Sequence, residues 1–156
     1  MLEASSMAEP PTQPYADSFD PEVAAGFIRA NEKLTGLPKF LVLKIVDIGP
    51  GRLRAEMAVR DELLTPFKNV HGGVISAVCD HVLGCVCYPV MKRGQWAATT
   101  EFKLNLLAPV SAGVIAADAV IASLSRTQAV VRIDVSNEGR LVAIAQGTVT
   151  IRDPKA

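Results

Sequence analysis

The residues of this chain that are best suited to chemistry lie close together, in His71-Gly72-Gly73 and in Asp80 a little further on. Asp80 stands in an otherwise apolar run, and burying a carboxylate is costly unless it is paired or used. The glycines begin a predicted helix, whose first amides can hold an oxyanion if a ligand approaches the backbone closely. Asp80 could instead pair with a neighbouring group, and the glycines could form a plain turn. It is their combination that favours a catalytic site.

The spacing of these groups predicts how a site could form. Gly73 and Asp80 are seven residues apart, which is ~10.5 Å along a helix and too far for both to contact one carbonyl group. If two such helices pack antiparallel across a two-fold axis, the amides of one chain meet the acid of the other. We therefore predict a homodimer with two equivalent, shared sites.

The helix that carries these groups is predicted over residues 72–88. It is apolar nearly all round, which is typical of a buried helix. Its length almost permits a membrane span, but Asp80 and His81 lie at its middle, where an ionised acid is costly, and alternating strands follow. We predict no membrane partner. A shorter helix is predicted from the N-cap Asp20 to about Gly36.

Much of the remaining chain alternates apolar and polar residues, as in a sheet with one face in the core. Six strands are predicted, over residues 40–48, 52–59, 97–107, 113–123, 127–135 and 141–151. No helix is predicted between the last four strands, so the sheet should be largely antiparallel. One buried helix and one sheet with a single apolar face predict an α+β fold in which the sheet wraps around the helix.

Composition limits the class of protein. With 156 residues, 49% of them hydrophobic, the chain is the size of one domain. We predict this domain over residues 20–156, after a flexible N-terminal arm over residues 1–19 that is rich in Pro, Ser and Ala. Sixteen basic residues balance sixteen acidic ones without a basic stripe, so nucleic acid is not an expected partner. The chain start has no signal-peptide pattern and the cysteines cluster in one helix, so we predict a cytoplasmic protein.

Several sequence strings occur in a characteristic order. They are Asn69-Val70-His71-Gly72-Gly73-Val74, Asp80 at its spacing, Thr99-Thr100-Glu101-Phe102-Lys103-Leu104, Pro109 and Ala145-Gln146-Gly147. Over residues 40–152 this order resembles the hotdog-fold thioesterases of the PaaI-like (4-hydroxybenzoyl-CoA thioesterase-like) superfamily. The resemblance implies an antiparallel sheet wrapped around a long central helix and a homodimer that often pairs into a homotetramer. It also implies hydrolysis of acyl-CoA thioesters with neither a metal nor a cofactor.

The resemblance implies roles for four catalytic candidates, Asp80, Gly73, Thr65 and Thr99. Asp80 would be the general base that activates water, or the nucleophile that attacks the thioester, while the Gly73 amide polarises the carbonyl. Thr99 matches a hydroxyl position that places the water or the acyl group, or is an ordinary strand residue. Thr65 stands where relatives often carry Asn, six residues before His71. Its hydroxyl could still donate a hydrogen bond, but the catalytic rate and the substrate stay open at this point.

Five further residues are candidates for substrate binding: Asn69, His71, Gly72, Thr100 and Arg126. The first three surround the start of the helix, which aims backbone amides at a ligand. The His71 ring is therefore expected to be a structural hydrogen-bonding group rather than a base. Arg126, in a turn between strands, could contact the phosphates of coenzyme A or be an ordinary solvated charge.

Two alternative functions can use the same fold. A non-catalytic acyl-CoA binding or sensing protein would normally carry an added DNA-binding or regulatory segment, and the N-terminal arm is too short and too neutral to be one. An enoyl-thioester hydratase usually sets Asp and His several residues apart, which the adjacent pair Asp80-His81 does not match. Cys85 and Cys87 face nearly opposite sides of the helix, so they are not expected to share a metal ion or to form a local disulfide. We predict an acyl-CoA thioester hydrolase, with the non-catalytic binding protein as the alternative.

Overall fold

The computed structural model describes residues 14–154. Residues 1–13 of the predicted arm therefore lie outside the described part, as do residues 155–156. In the rest of the arm, a 3-10 turn spans Ala16–Ser18, and the side chains of Tyr15 and Phe19 pack against the hydrophobic core. The division of the chain at residue 19 stays a prediction.

The strands form one six-stranded sheet in which all neighbouring pairs are antiparallel. They are β1 (Lys44–Gly49), β2 (Arg52–Ala58), β3 (Trp96–Leu106), β4 (Val114–Leu124), β5 (Gln128–Asn137) and β6 (Arg140–Arg152). Their order across the sheet is β1-β2-β4-β5-β6-β3, so β1 and β3 are its two edges. The predicted antiparallel sheet is confirmed.

Three α-helices accompany the sheet: α1 (Pro21–Ala30), α2 (Gly36–Leu41) and α3 (Gly72–Cys85). α3 lies against the inner face of the sheet and contacts β3 more than any other strand, whereas α1 packs on β1. The inner face is apolar because every second residue points to it. In β5 these inner residues are Val131, Ile133 and Val135, all fully buried. The predicted α+β architecture, a sheet around one long helix, is confirmed.

α1 begins where the sequence predicts it and ends earlier. The Asp20 carboxylate caps its first turn by accepting two backbone hydrogen bonds. The helix ends at Ala30 rather than near Gly36, and a 3-10 turn that begins at Asn31 follows. The Asn31 side chain donates to the Ile45 carbonyl at 2.7 Å and accepts from the Ile45 amide at 3.0 Å. This pair of bonds ties the turn to β1, a contact distant in sequence that the local pattern does not indicate.

The first predicted strand, over residues 40–48, starts later than expected. α2 ends only at Leu41, Val42 adopts a left-handed φ of 53°, and β1 begins two residues later. Arg60 stabilises this helix end by donating hydrogen bonds to the carbonyls of Phe40 and Leu41. The helix end that precedes β1 is therefore stabilised by a residue that follows β2, a contact distant in sequence.

α3 begins at Gly72 as predicted and ends at Cys85, three residues before its predicted end. The side of the helix that faces the sheet is fully apolar, with Ile75, Val78 and Val82 buried. By length and composition alone, the segment Gly72–Val90 could cross a membrane, but 56% of it is buried inside the domain. Its packing is that of a core helix.

The opposite side of α3 is left uncovered by the sheet. Gly73 and Asp80 are exposed there, and Ala77 and Gly84 are partly exposed. These four residues lie on one side of the helix at spacings of three and four, and we call them the open face. The prediction of a helix buried all round is wrong for the single chain, because one sheet covers only one side of a helix.

β3 forms the second edge of the sheet and is distorted near its middle. A bulge between Thr99 and Glu101 shifts its pairing with β6. Gly147 in β6 makes room for the strand here, since a Cβ at Gly147 would lie 2.5 Å from the Phe102 Cβ and 2.6 Å from the Glu101 carbonyl oxygen. The close approach of β3 thus requires glycine at this position, and the bulge changes the direction of the side chains around Thr99.

Candidate active site

A short hairpin leads into α3 and holds its start in place. An antiparallel bridge pairs Leu64 with Val70, and the Thr65 amide donates to the Asn69 carbonyl at 2.7 Å. The Thr65 hydroxyl oxygen accepts a hydrogen bond from the Phe67 amide at 3.2 Å. The hydroxyl therefore stabilises the turn as an acceptor, and its hydrogen can still be donated to a ligand.

The His71 side chain caps α3. Its Nδ1 atom accepts a hydrogen bond from the Gly73 amide at 2.9 Å, and its carbonyl accepts one from the Val74 amide at 2.9 Å. Within residues 14–154, the Gly72 amide has no acceptor. The sequence predicts that the Gly73 amide polarises a substrate carbonyl, but in the structure this amide already donates to the His71 ring. The neighbouring Gly72 amide is available to donate to a ligand instead. The signal for this was His71 itself, because a capping side chain accepts from the second or third amide of its helix.

Asp80 lies two turns further along α3, on the open face. Its side chain is exposed and takes part in no ion pair or hydrogen bond with the described part of the chain. The sequence left open that Asp80 pairs with a neighbouring group instead of taking part in catalysis. The described part of a single chain offers no such partner. A carboxylate in this setting can take a proton from water or attack an electrophilic carbon.

The two available groups of α3 are far apart. Gly72 and Asp80 are separated by eight residues, which corresponds to ~12 Å along the helix axis. A carbonyl group needs its hydrogen-bond donor and its attacking group each at ~3 Å. One chain by itself therefore does not bring the amide and the acid to the same carbonyl.

His81, the neighbour of Asp80, faces away from the open face toward the N-terminal helices. Burial lowers the pKa of its ring, and the nearby charge of Asp80 opposes this without reversing it, so the ring is neutral at pH 7. Its Nε2 atom lies 3.7 Å from the Cys85 sulfur. It forms no hydrogen bond with Asp80, and the two do not make a catalytic dyad.

The two candidate threonines of β3 lie on different faces of the sheet. Thr99 pairs with Val149, which is buried on the inner face, so Thr99 is on the side that carries α3. Thr100 is exposed, and its hydroxyl oxygen lies 2.5 Å from that of Thr150. Thr150 stands in β6 between two residues that point to the inner face, so both threonine side chains point to the outer face. The structure thus brings Thr99, but not Thr100, to the side of the helix.

Arg126 lies far from the start of α3 in the same chain. It is exposed in the turn between β4 and β5, at the end of the sheet where β3 begins. Gly72 is near the other end of β3, because a Cβ on Gly72 would lie 2.7 Å from Leu106 Cδ1. The eleven residues of β3 span roughly 35 Å. A single chain therefore does not place Arg126 beside the Gly72 amide, whereas Asn69 is next to it in the hairpin.

The cysteines are unsuited to act as nucleophiles. Cys79, Cys85 and Cys87 are free and buried, and burial raises the pKa of each thiol to about 12. At pH 8, about one thiol in ten thousand is then ionised, and only the thiolate reacts.

We expect mass spectrometry to find the native protein unmodified after treatment with iodoacetamide at pH 8. Rapid alkylation of the folded protein would contradict this.

Among residues 14–154, no group of three or more His, Cys, Asp or Glu side chains could hold a metal ion.

The sheet and its central helix define the class of protein, the hotdog fold. The chain superposes on a thioesterase from Haemophilus influenzae with a TM-score of 0.76 and 22% identity, covering 83% of this chain and 90% of that one. It also superposes on the PaaI protein of E. coli with a TM-score of 0.76 and 19% identity, covering 86% and 96%. A family model described as the thioesterase superfamily matches residues 67–144, half of the chain. The protein belongs to the thioesterase superfamily, and the resemblance to its PaaI-like group is confirmed.

Relatives found by sequence similarity have names that refer to the hydrolysis of CoA thioesters. A 1,4-dihydroxy-2-naphthoyl-CoA hydrolase of Listeria monocytogenes is 23% identical over 118 residues, which cover 75% of this chain and 96% of the relative. Acyl-coenzyme A thioesterase 13 of Homo sapiens is 24% identical over 111 residues, which cover 69% and 77%. The family and these relatives support thioester hydrolysis as the general activity.

Proposed function

We propose that this protein is an acyl-CoA thioester hydrolase whose site is formed by two copies of the chain. The proposal rests on one observation: within the described residues, the Gly72 amide has no acceptor and the Asp80 carboxylate has no donor. A thioester carbonyl needs one group of each kind, an amide for its oxygen and a base or nucleophile for its carbon. Because the two lie too far apart on one helix, each chain supplies one of them to a shared site.

The surface around α3 supports such a dimer. Three of the four residues of the open face are Gly or Ala, which lets a second helix approach closely. β3 is an edge strand of eleven residues, and a long open edge pairs readily with another strand. Because α3 contacts β3 more than any other strand, the open face and this edge are close together and can bind one second copy.

The proposed geometry predicts where the two-fold axis passes. If Gly72 of each chain meets Asp80 of the other, two antiparallel helices cross at the level midway between them, that of Ser76, which is partly exposed one turn before Asp80 beside the open face. We expect Ser76→Arg to give a monomer without hydrolase activity, because a long charged side chain at the axis separates the helices. Ser76→Ala, the matched control, should remain dimeric and active. Light scattering and thiol release measure the two properties, and a dimeric, active Ser76→Arg would exclude this axis.

The proposed reaction has two routes. In the first, Asp80 takes a proton from water while the water oxygen bonds to the thioester carbon. In the second, the Asp80 carboxylate bonds to this carbon and water hydrolyses the resulting anhydride. In both, the Gly72 amide of the other chain stabilises the negative carbonyl oxygen, the carbon–sulfur bond breaks, and the coenzyme A thiolate takes up a proton. The hydroxyl groups of Thr65 and Thr99 position the water or the acyl group.

Coenzyme A as the leaving group is supported by the relatives from Listeria and human, whose names refer to CoA thioesters. In the proposal, Arg126, which is exposed and forms no ion pair with residues 14–154, contacts a phosphate of coenzyme A. Three free buried thiols suit a reducing compartment, and we place the protein in the cytoplasm.

The proposed activity is tested by thiol release from acetyl-, butyryl-, decanoyl-, palmitoyl- and benzoyl-CoA. We expect at least one of them to be cleaved with a kcat/KM of about 10⁴ M⁻¹s⁻¹ or more. The alternative, non-catalytic binding of acyl-CoA, is favoured by one observation, the threonine at position 65 in place of the usual amide. Saturable binding of acyl-CoA without thiol release from any substrate would establish that alternative and end the hydrolase proposal.

A further inference from the structure

An apolar groove of about 220 Å³ lies at the start of α3. Val70 and Ile75 line one side of it, and residues 106–110, at the end of β3 and just after it, line the other. Every side chain that lines the groove is a hydrocarbon. Leu106 and Leu107 are 55% and 52% exposed, and exposed apolar surface of this kind marks the site of a ligand or a partner.

The groove adjoins Gly72, whose amide is the proposed donor to the thioester carbonyl. Val70 and Ile75 stand two positions before Gly72 and three positions after it. From the other wall, Leu106 reaches the Gly72 backbone, since a Cβ on Gly72 would lie 2.7 Å from Leu106 Cδ1. A substrate whose carbonyl oxygen accepts from the Gly72 amide therefore has one of its two arms beside the groove.

Backbone hydrogen bonds hold the walls of the groove in place. The Val70 amide donates to the Val110 carbonyl at 2.7 Å, and this bond joins the two walls. The amides of Leu107 and Ala108 both donate to the Val142 carbonyl, at 2.8 and 3.2 Å. A groove fixed in this way does not have to be ordered when a ligand binds, which favours binding.

These bonds also leave few polar groups in the groove for a ligand. Pro109 has no amide hydrogen, and its carbonyl already accepts a hydrogen bond from Arg140 at 2.8 Å. One arm of an acyl-CoA thioester is a hydrocarbon chain, whereas the other is pantetheine, which carries two amides and a hydroxyl group. Polar groups without hydrogen-bond partners are costly to bury. The groove therefore suits the acyl arm and not the pantetheine arm.

We propose that this groove binds the acyl chain and gives the protein a preference for aliphatic acyl groups of about eight carbons. The proposal rests on the proposed function and deepens it. The chain length follows from the volume, because a cavity of about 150 Å³ holds the six carbons of benzene, so about 220 Å³ holds roughly eight. A longer chain extends past the groove into water and gains no further contact.

The first test is a series of acyl-CoA thioesters that differ in chain length. One side of a chain in an open groove stays in water, so each methylene should raise kcat/KM roughly twofold, which is half the free energy of full burial. The rise from acetyl- to octanoyl-CoA is then about 60-fold, and palmitoyl-CoA should be no better than octanoyl-CoA. Equal values for acetyl- and octanoyl-CoA, or a further steep rise to palmitoyl-CoA, would overturn the proposal.

A second test places a polar group in the groove. Leu107→Asn keeps about the same side-chain size, and we expect it to lower the ratio of kcat/KM for octanoyl-CoA to that for acetyl-CoA about tenfold. Leu37→Asn is the matched control, because Leu37 lies in α2 and is similarly exposed, at 56%. It should leave the ratio unchanged. An unchanged ratio in Leu107→Asn, or an equal fall in Leu37→Asn, would show that the acyl chain lies elsewhere.

Light scattering on Leu107→Asn separates the acyl chain from the other candidate occupant of the groove, a second copy of the chain. We expect the variant to keep the oligomeric state of the wild type, because the groove is filled by substrate and not by another protomer. A lower oligomeric state in the variant would assign the groove to a contact between protomers and overturn the proposal.

A binding measurement separates this proposal from the hydrolase activity. S-ethyl- and S-octyl-CoA are thioethers, which have no thioester carbonyl and are not hydrolysed. By isothermal titration calorimetry, we expect S-octyl-CoA to bind the wild type about 60-fold more tightly than S-ethyl-CoA, and Leu107→Asn to lower this ratio about tenfold. Equal affinities for the two thioethers would refute the groove as the acyl subsite even if thioesters are cleaved. The expected difference in affinity without cleavage of any thioester would leave the groove in place and refute the hydrolase.

Discussion

Asp80→Asn is expected to lower kcat for acyl-CoA hydrolysis by at least about 10³-fold, with little change in stability. The amide keeps the shape of the carboxylate but can neither take a proton from water nor attack the thioester carbon. Removal of a general base or nucleophile typically costs roughly 10²- to 10⁶-fold. Since Asp80 is exposed and unpaired within residues 14–154, its replacement should shift the free energy of unfolding by less than about 0.5 kcal/mol.

The matched control for this variant is Asp134→Asn. Asp134 is likewise exposed and in no ion pair within the described residues, but it lies on the outer face of the sheet, away from α3. Thiol release and thermal unfolding of both variants decide the outcome. Full activity in Asp80→Asn, or an equal loss in Asp134→Asn, would remove Asp80 from the mechanism.

Gly72→Pro is expected to lower kcat by about 10²- to 10³-fold, the typical effect of removing one oxyanion donor. Gly72 is the first residue of α3, a position that proline occupies readily because its amide has no partner in the helix. The substitution therefore deletes one N–H group and leaves the helix intact. The residue before it, His71, has a ψ of 133°, which suits the residue preceding a proline.

Gly72→Ala separates the loss of the amide from the added side chain. A Cβ at Gly72 would lie 2.7 Å from Leu106 Cδ1, the end of a flexible side chain that must move in both variants. Alanine keeps the N–H group, so we expect Gly72→Ala to retain most of its activity. If both variants lose activity equally, crowding against Leu106 explains the effect and the amide does not.

The two inactive variants together test the shared site. In a mixed dimer of Asp80→Asn and Gly72→Pro chains, one site has both defects and the other has neither. Random association makes half of the dimers mixed, so we expect co-expression to restore about a quarter of the wild-type activity. Each variant alone should stay inactive. No recovery in a mixture that light scattering and mass spectrometry show to contain mixed dimers would place the whole site in one chain.

The fold was largely predictable because its signals are local. The alternation of Val131, Ile133 and Val135 with charged residues is enough to predict a strand with one buried face. The boundaries were less predictable where distant residues set them. Arg60 holds the end of α2 and Asn31 holds the turn after α1, and both act on residues more than ten positions away in sequence.

The candidate site was predictable in its parts. The motif at the start of α3, and Asp80 within it, stand out because glycines before an apolar helix and an acid inside it are unusual residue types for those places. The rise per residue of an α-helix then placed the amide and the acid too far apart for one carbonyl group, which indicated that two chains are needed. These inferences depend only on residue type and on spacing along one helix.

The sequence by itself determined the candidate residues for a site, their spacing along one helix and the class of fold. Tertiary structure decided which of them are available: the His71 ring occupies the Gly73 amide and leaves that of Gly72, the single sheet leaves Asp80 exposed, and Thr100 lies on the outer face. The physical reason is that spacing and periodicity are properties of the local chain. Hydrogen-bond partners and solvent exposure depend instead on which distant segments pack against a residue.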